Sequence, residues 1–106
     1  MRNRIMRTIV FFDLPNVYLK DKRNYIKFRR FLLNEGFIMM QESVYCKLIL
    51  NNVQSDLLYK RIQKNSPKRG LIQTLVITEK QYSQMKYIIG CSSSKILDSD
   101  ERLVVL

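Results

Sequence analysis

Histidine is absent from these 106 residues, and cysteine, proline and glycine number only two, two and three. Without histidine and with no Cys-x-x-Cys pair, the chain lacks the ligand set of a structural zinc site. The same absence removes the commonest general base, and neither cysteine is placed to replace it. Few glycines and prolines, with 46% hydrophobic residues, describe a folded chain of one domain, residues 1–106. There are no internal repeats and no low-complexity tracts. No run approaches the ~18 consecutive apolar residues of a membrane span. Arg2, Arg4 and Arg7 precede TIVFF with no small-residue cleavage site behind it, which argues against a secretory signal. Cys46 falls in a strand-like run and Cys91 in a serine-rich stretch, a usage that suggests reduced thiols and a cytoplasmic setting.

Acidic residues are the other shortage. Nine acids face nineteen Lys and Arg, a formal net charge of +10. Such a balance points to a polyanionic partner, with solubility alone as the competing explanation. A membrane surface fits less well, because no basic amphipathic segment stands outside the folded core.

The hydrophobic pattern predicts a strand over Met6–Asp13, closed by Pro15, with Asn16 as a candidate cap before a helix at Lys20–Glu35. Gly36 stops that helix. FIMMQESVYCKLIL, residues 37–50, reads as two short strands broken at Gln41-Glu42-Ser43. Asn51 and Asn52 offer a cap for a second helix over Val53–Asn65. Ser66–Gly70 is a turn, and LIQTLVIT, residues 71–78, is another strand. A helical turn at Glu79–Met85 and a last strand near Tyr87–Ile89 follow. The order β-α-β-β-α-β predicts an α+β, ferredoxin-like sandwich with both helices on one face of an antiparallel sheet. The C-terminal tail, 91–106, ends in an apolar run at 103–106 that needs a sheet edge, with an extra strand as the expected outcome.

On the first helix, Tyr25, Phe28, Phe31 and Leu32 share one arc, with Ile26 and Leu33 at its margin. Arg23, Lys27 and Arg30 fall on the other side. Between Lys20 and Arg30 there are six basic residues and one acid, Asp21. A solvated face usually mixes signs to gain i,i+4 pairs, so this one calls for an anion across it. Candidate nucleic-acid contacts are therefore Lys20, Lys22, Arg23, Lys27 and Arg30, with Lys68 and Arg69 behind them. Lys60, Arg61 and Lys64 on the second helix have a rival explanation, since cations near a helix C-terminus complement its dipole. No zinc-finger, basic-zipper or Lys/Arg-Gly-Phe-Gly/Ala-Phe motif is present, and Phe11, Phe12 and Tyr45 sit in otherwise apolar strands. Backbone-level recognition of a duplex is the reading these features favour.

Asp13 stands apart. A carboxylate ends an apolar strand just where the chain turns, and two roles suit it: capping N–H groups of the turn, or holding a metal ion and serving catalysis.

VFFDLP closing the first strand, the basic helix KFRRFLLNEGF, MMQESVY and the ending LDSDERLVVL together resemble the CRISPR-associated protein two family. The likeness runs from about Met6 to Leu106 and leaves residues 1–5 outside it; it is to the variant that accompanies single-effector, type II systems. The resemblance implies a homodimer in which the 103–106 strand pairs with the edge of the partner protomer's sheet rather than with its own, and which bridges dimers of the larger CRISPR integrase, lies along duplex DNA and serves spacer acquisition. It also implies magnesium-dependent (Mg²⁺ or Mn²⁺) endonuclease activity on RNA or DNA, varying between members, with the metal ligand mapping onto Asp13. Two other roles stay open: a stand-alone, toxin-like endoribonuclease dependent on magnesium, and a sequence-tolerant RNA-binding module.

Overall fold

The computed structural model describes residues 5–91. Arg2, Arg4 and the expected tail strand at 103–106 lie outside the described residues. The elements are β1 (Met6–Asp13), α1 (Leu19–Asn34), β2 (Ile38–Gln41), β3 (Val44–Ile49), α2 (Asn52–Lys64), β4 (Leu71–Thr78) and the one-turn α3 (Glu79–Ser83). The strands form one antiparallel sheet in the order β2-β3-β1-β4, the ferredoxin-like arrangement that the pattern predicts. Residues 37–50 do form two strands, offset at a register shift between Met39 and Gln41.

Side chains alternate along a strand, so β1 divides its residues between two layers. Val10 and Phe12 enter the core with Tyr45 and Ile49 of β3, Phe28 and Leu32 of α1, and Leu58 and Ile62 of α2. Both long helices therefore cover the same face. Phe12 is the centre of an aromatic cluster, with ring centroids 5.2 Å from Phe28, 5.5 Å from Tyr45 and 5.7 Å from Tyr25. Such pairs add about 0.5–1.5 kcal/mol each beyond the area they bury. The arc read from the sequence of α1 is the packed one: Tyr25 and Phe31 lie against the core beside Phe28 and Leu32, while Ile26 and Leu33 stay exposed.

The opposite face of the sheet carries Ile9, Phe11 and Asp13, which pair in register with Leu75, Gln73 and Leu71 of β4. Neither α1 nor α2 covers it; Ile9 and Cys46 are buried there, whereas Leu48, Leu71 and Leu75 remain about half exposed. Only α3 folds back toward it. Arg7 clamps the Glu79 carboxylate through Nε (2.7 Å) and Nη2 (3.1 Å) and lies over the Tyr82 ring at 3.8 Å. The Arg7 guanidinium holds the Glu79 carboxyl below its usual range.

Three local expectations are corrected. Tyr87–Ile89 is not a strand: α3 ends at Ser83, and the chain leaves the sheet with Ile88 and Ile89 exposed and no ladder partner. A three-residue apolar run carries hydrophobicity but no edge to pair with. The expected helical turn to Met85 likewise stops two residues early. The cap of α1 is not Asn16, because the helix starts at Leu19 and the half-in position is Tyr18. Asp21 reaches back instead, and its Oδ2 accepts the N–H groups of Val17 (3.1 Å) and Tyr18 (3.0 Å). Asn51 caps α2 as the sequence suggests, accepting from the Gln54 N–H at 2.8 Å.

Two predictions follow from how β1 meets α1. Hydrogen bonds from the Tyr18 and Val17 N–H groups, with Arg69 nearby, hold the Asp21 carboxyl below its ordinary value of 3.8. A group depressed in the folded state stabilises fully above its unfolded value and loses that contribution as pH falls through the folded one. The Asp21→Ala variant should therefore melt lower than the parent near neutral pH, with the gap closing as pH drops below 3.8. Thermal denaturation across an acid series measures it. Gly70 sits at φ +109°, and a Cβ there would lie 2.8 Å from Leu14 Cδ2 and 2.9 Å from the Asp13 carbonyl oxygen. Gly70→Ala should cost about 1–3 kcal/mol, the price of a disfavoured backbone conformation, and should shift the amide resonances of residues 13–15.

Candidate functional site

The site grows from the end of β1. Asp13 is the last residue of the strand, exposed, and on the uncovered face of the sheet because Phe12 before it is turned inward. Pro15 ends the ladder just beyond. Among the described residues the Asp13 carboxylate takes part in no hydrogen bond or ion pair. The turn-capping role is thus Asp21's, and Asp13 is left with both oxygens facing outward.

Beside Asp13 lies a cleft of about 350 Å³, walled by Leu14, Pro15 and Asn16, by Lys22, Tyr25 and Ile26 of α1, and by Glu42 and Ser43 of the β2–β3 turn. Two hydrogen bonds set its width. The Tyr25 hydroxyl donates to the Glu42 carbonyl at 3.1 Å, and the Phe12 N–H donates to the Ser43 carbonyl at 3.0 Å. A turn between two short strands is thereby tied to both β1 and α1. Glu42 is a site residue that the sequence reading missed. Its only signal was its place in the polar Gln41-Glu42-Ser43 break, which served there to divide two strands.

The predicted basic residues do not act as one group. Lys20, Lys22, Arg23, Lys27 and Arg30 are all exposed on α1, and none has a carboxylate partner among the described residues. Lys22 alone lines the cleft beside Asp13. Lys68 and Arg69 are exposed in the turn before β4, and Arg69 leans on Asp21 with Nη1 3.5 Å from Oδ1. Arg61 of α2 is committed to Glu35, which it grips through Nε (2.8 Å) and Nη2 (2.9 Å), with Lys47 adding a contact at 3.7 Å. These cations hold the Glu35 carboxyl below its usual range, Arg61 foremost. Charge on α2 is therefore partly internal bracing, whereas the α1 cations enter no ion pair among the described residues. Phe12 and Tyr45 are buried on the helix side, so the sheet offers neither ring for stacking a base.

As a metal site, one chain is sparse. Among the described residues no three His, Cys, Asp or Glu side chains come together. An outward carboxylate free of protein partners suits a hydrated magnesium ion, which keeps several waters and takes one or two carboxylates. Asp13 is one carboxylate of that kind.

Comparison with known proteins bears on what this arrangement is for. The family model described as CRISPR associated protein Cas2 matches residues 6–85. A protein of Treponema denticola named CRISPR-associated endoribonuclease Cas2 is 52% identical over 101 residues, covering 95% of this chain and 100% of its own length. Proteins of the same name from Streptococcus mutans serotype c (strain UA159) and Ligilactobacillus salivarius are 48% and 40% identical, each over 95% of this chain and over 93% and 100% of their own lengths. With the strand order, the aspartate closing β1 and these matches in hand, the chain belongs to the Cas2 family of CRISPR-associated proteins.

Proposed function

We propose that this chain is a CRISPR adaptation subunit that dimerises through the uncovered sheet face, lies along duplex DNA and bridges integrase dimers during spacer acquisition. We further infer a metal-dependent endonuclease centre made from Asp13 of two chains. The observation that carries the reading is Asp13 itself: an outward carboxylate with no protein partner among the described residues, on the rim of a sheet face that no helix of the sandwich covers.

Burying Leu48, Leu71 and Leu75 against a second copy removes apolar area from water at about 25 cal/mol per Å². A two-fold axis near the end of β1 brings both Asp13 side chains to one place. Together they would hold a shared Mg²⁺ or Mn²⁺, an ion that takes one or two protein carboxylates and keeps several waters. The ion supplies the Lewis acidity for phosphodiester hydrolysis. With no histidine in the chain, proton transfer at this point would not fall to an imidazole. Spacer integration needs no such step here, because the integrase partner carries that chemistry.

Duplex binding rests on α1. Its cations lack carboxylate partners among the described residues, and an anion such as the phosphate backbone would relieve their self-repulsion. A second reading, a free-standing endoribonuclease using the same Asp13 pair, is favoured by the name its relatives carry. A cytoplasmic setting agrees with free thiols at Cys46 and Cys91. No helix of the described residues is long and apolar enough to cross a membrane.

Asp13→Asn should abolish magnesium-dependent cleavage of RNA or DNA while leaving dimer formation and integrase-driven spacer insertion intact. Gel assays with metal and with chelator, beside sedimentation, measure both; cleavage surviving in Asp13→Asn overturns the catalytic assignment. Duplex binding should fall with salt at about −0.9 in log K per neutralised phosphate. Arg23→Ala with Lys27→Ala should flatten that slope by about two units without loss of fold. An unchanged slope places the DNA on another face.

A further inference from the structure

The cleft beside Asp13 is larger than a hydrated ion needs. Its volume of about 350 Å³ falls at the small end of the roughly 300–1,000 Å³ typical of ligand sites. One wall is apolar and aromatic: Leu14, Pro15, Ile26 and Tyr25. The Tyr25 ring is backed by Phe12 at 5.7 Å, and its hydroxyl is tied to the Glu42 carbonyl, so this wall is rigid. The other side offers the polar side chains of Asn16, Glu42 and Ser43, with Lys22 at the margin.

Charge narrows the occupant. Two carboxylates, Asp13 and Glu42, outnumber the single lysine, so a bare phosphate is a poor match. A ligand with an apolar planar part, donors for carboxylate and amide groups, and only one anionic group satisfies every wall. A nucleotide has that composition. A paired base is held in its stack and turns only its edges to the grooves, whereas an unpaired one can be splayed out against an aromatic side chain.

We propose that this cleft is a subsite for one unpaired nucleotide of a single-stranded nucleic acid. The base lies along Pro15, Tyr25 and Ile26, its polar edge or its sugar meets Asn16 and Glu42, and the phosphate meets Lys22. The adjoining phosphodiester then reaches Asp13, a placement that rests on the cleavage reading above. Duplex binding along α1 and single-strand capture at the cleft are thus separate functions of one protein that share only Lys22.

The test is titration of the full-length, isotope-labelled protein in chelator, so that no strand is cut, followed by amide resonances. The probes are ribo- and deoxyribonucleoside 5′-monophosphates, inorganic phosphate, a short single strand and a duplex of the same length. Expected are shifts at Asn16, Lys22, Glu42 and Ser43 with the monophosphates and the single strand. Inorganic phosphate should move none of them, and the duplex should move only Lys22 and its neighbours on α1. Either sugar supports the subsite, and the ratio of the two affinities tells RNA from DNA. Ile26→Ala, at an exposed position, should weaken single-strand binding several-fold, and Lys22→Met about tenfold. No shifts at the cleft with any nucleotide, or the same shifts with phosphate or duplex, would overturn the proposal. Asp13→Asn separates the two ideas: if it still cuts while the cleft shifts persist, the cleavage reading falls and the subsite stands.

Discussion

Consecutive residues of a strand cannot share a face, and in β1 that rule falls between Phe12 and Asp13. Phe12 is held on the helix side by rings from α1 and β3, and the strand is paired along its length with β4 and over most of it with β3. Asp13 is consequently driven to the opposite layer and to the end of the strand. A slip of one residue would exchange them, placing a carboxylate among Phe28 and Tyr45 and a phenyl ring in water. An unpaired charge in that position costs several kcal/mol, so the register is strongly specified. The cleft, the approach of Gly70 to the Asp13 carbonyl and the tie between Tyr25 and the β2–β3 turn are all arranged around this one fixed strand end.

The distribution of the scarce acids follows a second logic. Asp21 braces the start of α1, Glu35 joins the end of α1 to α2 and β3, and Glu79 locks α3 onto Arg7. Each of the three sits where two elements meet, and each is stabilised as a carboxylate by the N–H groups or cations around it. Among the described residues Asp13, Glu42 and Asp56 take no part in such bracing through their carboxylates, and Asp13 and Glu42 share a cleft. In a chain this basic, carboxylates left out of the internal network are the ones available to a ligand or an ion. The cations divide in the same way: Arg7, Arg61 and Lys47 are spent inside the fold, whereas the row on α1 is not.

Under the proposed reading, the absence of histidine has a structural counterpart. A single chain offers no imidazole near Asp13, and chemistry there would draw on an ion and a second copy. That economy suits a subunit whose main task is to position nucleic acid for a partner enzyme. It would also account for the apolar side chains on the sheet face carrying Asp13, since a face that joined two chains would complete the ligand set.

The element order was legible because hydrophobic period and punctuation are local properties. Pro15, Gly36 and the asparagines before α2 mark boundaries that the structure keeps, and the arc Tyr25-Phe28-Phe31-Leu32 identified the packed side of α1. The position of Asp13 at the end of β1 was also visible, since a charge closing an apolar strand stands out in one dimension. Other features depended on residues distant in sequence. Whether Asp13 or Asp21 holds the turn is decided by where α1 starts, which is a matter of packing. That Arg61 is spent and Lys27 is not depends on Glu35 lying across from α2, 26 residues away from Arg61. Tyr87–Ile89 has the composition of a strand and fails to be one, since a strand exists only where a neighbour offers its edge. Composition and period by themselves determined the fold class and marked out the singular aspartate. Only the tertiary structure decided which charges remain free and that Glu42 shares a cleft with Asp13, because both are questions of distance through space.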